Sequence, residues 1–111
     1  MLEKRTRHDT GEVCYVLRKH DPPERFGARE KHGVHGRPFL TLWVFADRVE
    51  LERGWCFASG HMEAYEQEIE ATYRREGDRW PDALAGAVVD WFGNSAANEV
   101  FERLSDSTAF Q

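Results

Sequence analysis

The 111-residue chain predicts an α+β fold: a three-stranded antiparallel sheet, in the order strand, long loop, strand, strand, followed by three helices packed on one face. Three observations predict it. Two apolar, strand-like runs flank a stretch without usable period, DPPERFGAREKHGVHGRP, from Asp21 to Pro38. A third alternating run follows directly. From Ser59 onward the apolar spacing changes from 2 to about 3.6 residues, the helical period.

The elements follow in order. Residues 1–10 are polar and are expected to form a mobile arm. From Glu12 to Lys19 the residues alternate, with Val13, Tyr15 and Leu17 on one side and Cys14, Val16 and Arg18 on the other, as in a half-buried strand. Phe39 to Ala46 is apolar on both sides, short, and rich in aromatic and β-branched residues, which predicts a central strand. Asp47 and Arg48 suit a tight turn. Val49, Leu51, Trp55 and Phe57 then share a face, opposite Glu50, Glu52 and Cys56, giving a third strand at an edge with its acidic side in water.

Met62, Tyr65, Ile69 and Tyr73 fit one stripe of a helix, capped by Ser59 or Gly60 and stopped at Gly77. Pro81 opens a second helix, with Asp82 favourable in its first turn, the stripe Leu84, Ala87, Val88 and Trp91, and Gly93 at its end. Ser95 caps a third, carrying Ala97, Val100, Phe101 and Leu104. Residues 107–111 are expected to fray. The length favours one domain over residues 1–111.

Composition narrows the class. Apolar residues make up 41% and charged residues 32%, as in a globular protein. No apolar run approaches the roughly 18 residues of a membrane span, and the charged N-terminus has no apolar signal region, so a cytoplasmic protein is expected. Cys14 and Cys56 match no metal or redox spacing and are expected to be reduced thiols. The net charge of −5 is uneven. Residues 1–38 hold nine Lys/Arg against six Asp/Glu, a net +3; residues 39–111 hold six against fourteen, a net −8. Such asymmetry points to a polar partner or an oriented binding face.

The Asp21–Pro38 stretch is the first candidate site, because structureless loops above about 12–15 residues are uncommon in compact domains and usually functional or disordered. Its candidate binding residues are Arg25, Phe26, Arg29, Lys31, His32, His35 and Arg37. The second candidate is the acidic surface of Glu50, Glu52 and Glu66, suited to a basic partner. The third is an apolar sheet face of Leu40, Leu42 and Val44, with Val16 and Cys14 beside them. That face needs cover from the loop through Phe26 and Val34, from a helix, or from a second copy in a homodimer.

No catalytic or metal set closes. His32-x-x-His35 with Cys56 and His61 is the nearest to a zinc pattern, without the paired spacing that orients ligands. His61 is expected at a helix start, where the dipole disfavours imidazolium. The loop glycines lack the phosphate-loop pattern. The leading expectation is therefore a small acidic non-catalytic binding module that acts by protein contact, of the inhibitor, immunity or mobile-element accessory type, with no cofactor. An enzyme using the loop histidines is the first alternative. Nucleic-acid binding through the loop arginines and Phe26, with Arg18, Lys19 and His20, is the second.

Overall fold

The structure is a computed structural model and describes residues 1–27, 29–60 and 62–111. Six strands and two α-helices are present among them: β1 Glu3–Thr6, β2 Val13–His20, β3 Arg29–Lys31, β4 Val34–Val44, β5 Arg48–Ser59, β6 Met62–Arg74, α1 Ala83–Phe92 and α2 Asn94–Ser105, with a 3-10 turn at Glu24–Phe26. The sheet is antiparallel throughout, in the order β1-β2-β4-β5-β6, with β3 paired to β4 off this path. The expected architecture of three strands and three helices is therefore corrected: the sheet has twice the strands, and the first predicted helix is β6.

The physical reason lies in β5 and β6. They pair from Arg48↔Arg74 to Ser59↔Met62, and the register shifts between Leu51, opposite Ala71, and Glu52, opposite Ile69. Glu70 is the extra residue of that bulge. A bulge inverts the side-chain alternation, so Tyr65 and Ile69 lie on one face while Ala71 and Tyr73 lie on the other. The spacing of Ile69 and Tyr73, read as a helical stripe, spans this inversion. Twelve ladder positions override the helix preference of the Glu- and Ala-rich sequence.

Other turns follow local chemistry. His32 and Gly33 both have positive φ, 53° and 77°, as a type I′ hairpin requires, and they join β3 to β4. The β4–β5 turn is closed by Phe45 N–H donating to Arg48 O at 2.8 Å. Asp82 precedes α1, and Gly93, at φ 96°, separates the helices. Ser95 thus lies inside α2, two residues after the cap position at Gly93.

Both helices cover one face of the sheet. The register pairs Tyr15 with Val44 and Leu17 with Leu42, so these side chains share a face with Val49, Leu51 and Ala71. Against them pack Leu84 and Val88 of α1 and Ala96, Ala97 and Val100 of α2. Each fully buried aliphatic side chain here contributes about 1.5–3 kcal/mol. Leu42 and Val44 are thus buried under the chain's own helices, and Leu40, on the same face, is buried too. Val16 pairs with Trp43, and so lies on the opposite face, not beside Leu42 as expected.

The chain ends are tied down as well. Leu2 is buried, and its N–H donates to Glu99 Oε1 at 3.0 Å. Tyr15 Oη donates to Ala109 O at 2.8 Å, and the Tyr15 and Phe110 rings meet edge-on at 5.5 Å. Of the segments expected as a loose arm and a frayed tail, Leu2, Ala109 and Phe110 pack on the core, while Glu3–Thr6 form the exposed strand β1. No helix among the described residues is long and apolar enough to cross a membrane.

Candidate functional site

The Asp21–Pro38 stretch is mostly regular structure. Its 3-10 turn docks on α1: Phe26 is buried and meets the Trp91 ring at 4.9 Å, and its carbonyl accepts a hydrogen bond from the Arg53 guanidinium. Arg25 pairs with Asp90 Oδ1 at 3.0 Å and donates to Asp90 O at 2.8 Å. These two residues fasten the turn to the helix. Phe26 is thus buried against α1, whereas Val34 is only half-buried.

Past this turn, the basic and acidic candidates meet. Arg29 Nη1 lies 3.1 Å from Glu66 Oε2, Arg29 Nη2 lies 3.5 Å from Glu68, and Lys31 also pairs with Glu66. The hydrogen bonds from Lys31 and then Arg29 hold the Glu66 carboxyl below its ordinary range. Glu50 pairs with Arg7 at 3.2 Å and with Arg48 at 3.6 Å. The surface expected around Glu50, Glu52 and Glu66 is therefore not one acidic patch: two members are neutralised by arginine or lysine, and Glu52 is buried.

Beside these pairs, the ends of the β3–β4 and β5–β6 hairpins enclose a groove of about 460 Å³. Val34, Phe57, Ala64 and Met62 give it an apolar floor, and Lys31, His32 and Glu66 stand at its rim. Its strand β6 is the last in the sheet and carries Met62, Tyr65 and Ile69 at 78%, 57% and 42% exposure. Gly36 sits against Phe57, where a Cβ would approach the ring to 2.7 Å. The small residue lets β4 pass under this floor.

The helix-free face has a different chemistry. Across the strands, the register sets Arg37, Cys56 and Tyr65 in one row, His20, Phe39, Gly54 and Gln67 in the next, then Arg18, Thr41, Glu52 and Ile69. Trp43 and Phe45 stack at 6.4 Å, with the Arg7 guanidinium 5.1 Å from the Trp43 ring and that of Arg48 3.9 Å from Phe45. Glu52 is 7% exposed, and neither its Oε1 nor the buried Trp43 Nε1 completes a hydrogen bond of ordinary geometry. Burial raises the Glu52 carboxyl, while the Trp43 indole and the charges of Arg18 and Arg7 pull it down. Next to it a depression of about 350 Å³ opens between β2, β4, β5 and β6.

The histidines do not converge. His32 occupies the hairpin turn, and His35 Nε2 lies 3.6 Å from Glu30 Oε2 across β3 and β4. Among the described residues no three His, Cys, Asp or Glu side chains come together as a metal set; the expectation for His61 lies outside them. Cys14 and Cys56 are free thiols, and burial pushes the Cys14 thiol up. Sequence reasoning missed Val34, Phe57 and Met62 as a shared groove, and Arg18 with Tyr65 as neighbours, because both depend on β6 being a strand. The alternation of Arg18 and His20 against Leu17 and Lys19 was the one signal for the second. Compared with protein-family models, with curated proteins and with solved structures, the chain matches none.

Proposed function

We propose that the chain is a binding module that takes up an extended segment of another protein along β6, with one apolar side chain of that segment seated in the groove between the two hairpin ends. The observation that carries this reading is the groove of Val34, Phe57, Met62 and Ala64 beside the last strand of the sheet. A terminal strand presents unpaired N–H and C=O groups to an added strand. Strand addition draws affinity from those groups and specificity from pockets for alternate side chains.

Charge selects the occupant. Antiparallel pairing of β6 with a second copy, centred on Gln67, would set Glu66 against Glu68 at two places. Like charges directly opposite destabilise a sheet. A segment that alternates Lys or Arg with other residues sets those charges along the one face of β6 that carries Glu66 and Glu68, and its large apolar residue fills the groove. The rim of Lys31, His32 and Glu66, together with the acidic β6, thus ties the loop candidates and one acidic candidate to a single surface.

A selection from displayed random peptides tests the reading. The expected winners alternate Lys or Arg and carry one large apolar anchor. They bind the wild-type chain and lose at least about tenfold in affinity against Met62→Lys or Val34→Lys, since a buried apolar anchor contributes about 1.5–3 kcal/mol. Thermal melts of both variants check the fold. Winners without that pattern, or binding that ignores both substitutions, would rule the groove out.

A further inference from the structure

The geometry points to a second site, which shares only Tyr65 with the groove, for a small phosphate monoester in the depression on the helix-free face. Its walls are Arg18, His20, Arg37, Phe39, Tyr65 and Cys56, and its volume of about 350 Å³ falls in the lower range of small-molecule pockets. Among the described residues, Arg5, Arg7, Arg25, Arg29, Arg48, Arg53 and Lys31 each form an ion pair. Arg18 and Arg37 form none, and both line this depression. Half of the chain's twelve arginines are paired in this way; of the rest, Arg18 and Arg37 are the two that line this depression.

Arg18 is held in place by neutral groups, and its charge also acts on the buried Glu52 carboxyl. Its Nε donates to Thr41 Oγ1 at 3.3 Å, and its guanidinium lies 4.7 Å from the Phe39 ring. Both partners are neutral, and Thr41 is fully buried, so the terminal N–H groups are oriented without being satisfied by a carboxylate. A planar guanidinium so fixed matches phosphate oxygens in pairs. Arg37, in the row next to His20 and Phe39, supplies the second fork, and His20 a further nitrogen.

The site selects for a doubly charged anion with a ring. Two guanidinium groups attract a dianion more strongly than a monoanion or a neutral ligand, and Asp21 stands at the rim. Phe39 and Tyr65 meet edge-on at 6.3 Å, and Tyr65, more than half exposed, offers a face for the organic part. Gly54 opens the floor: a Cβ there would overlap the Phe39 ring, so Phe39 lies flat across β5 and leaves room above it.

Amide NMR titration with phenyl phosphate, inorganic phosphate and phenol, at physiological salt, tests this. Phenyl phosphate is expected to shift the amides of Arg18–Asp21, Arg37, Phe39 and Cys56, and to bind more tightly than inorganic phosphate, with phenol silent. Arg18→Gln and Arg37→Gln are each expected to weaken phenyl phosphate roughly tenfold or more, because each removes a charge-assisted hydrogen bond. Arg37 is exposed, so its variant keeps the fold. Arg75→Gln, at the far end of β6, is expected to bind as wild type. Shifts that map elsewhere, equal binding by the Arg37 variant, or phenol shifting the same amides would each overturn the assignment.

Discussion

Arg29 of β3 and Glu66 of β6 meet at 3.1 Å, joining the basic and acidic halves of the chain across two hairpins that pair with different neighbours. Arg29 also lies 3.7 Å from the centroid of the buried Trp55 ring. The charge asymmetry of the sequence is thus spent largely inside the molecule, and the loop that looked free is clamped to β6.

The clamp predicts a specific pattern of hydrogen exchange. Arg29→Ala is expected to cost about 0.5–2 kcal/mol, the worth of a partly desolvated cation–π contact, and to speed exchange at β3 and the start of β4. Glu66→Lys is expected to speed the same amides by repelling Arg29 and Lys31, and Lys31→Glu in that background to slow them again. If the β3 amides exchange at wild-type rates in Glu66→Lys, the pairs contribute nothing to the hairpin.

Acid pH separates two carboxyls that move in opposite directions. Arg48 lowers the Glu12 carboxyl from 4.5 to about 2. Its stabilisation is present above pH 4.5 and is lost as pH falls toward 2. The pair is partly exposed, so the effect of Glu12→Gln stays under about 1 kcal/mol and vanishes in acid. Glu52 is raised above 4.5 by burial. The folded state holds that proton where the unfolded chain releases it, so stability falls as pH rises above 4.5. Glu52→Gln is expected to be more stable than wild type at neutral pH, with the difference gone below pH 4.5. Urea titrations across this range decide it. A less stable Glu52→Gln at neutral pH would mean that the carboxylate has a stabilising partner.

Gly54 and Phe39 form a coupled pair opposite each other on β5 and β4. Gly54→Ala is expected to cost about 1–3 kcal/mol by overpacking, since its Cβ would come within 2.8 Å of Phe39 Cε1 and closer to other ring atoms. Phe39→Leu in the same chain should recover part of the loss, as contacting residues couple. Additive losses in a double-mutant cycle would contradict the packing.

The candidate site was legible only in part. Arg25 and Phe26 were singled out by their place in an unexplained loop, yet they serve as its fastening to Asp90 and Trp91. The His32–His35 pair looked like ligand spacing and is a hairpin turn with one histidine at positive φ; two residues of left-handed backbone were hidden behind a His-Gly dipeptide. Glu52 was expected in water. The strand alternation placed it on the face opposite Leu51 correctly, but its flanks, Thr41 of β4 and Ile69 of β6, were not legible while Ile69 was read as helical.

By itself, the sequence determined the strands around Val13–Lys19, Phe39–Val44 and Val49–Phe57, and the two C-terminal helices bounded by Pro81 and Gly93. Each of these has a local cause: alternation, β-branched and aromatic content, a fixed φ, or a glycine turn. Only the tertiary structure decided that Met62–Arg74 is a strand, that Asp21–Pro38 contains β3, and that the basic loop lies against acidic β6. In this terminal strand only Ala71 and Tyr73, beyond the bulge, pack on the core, too few to impose a period, and the bulge at Glu70 imitated the helical spacing. Pairing with β5 along its whole length, which no local window contains, made the choice.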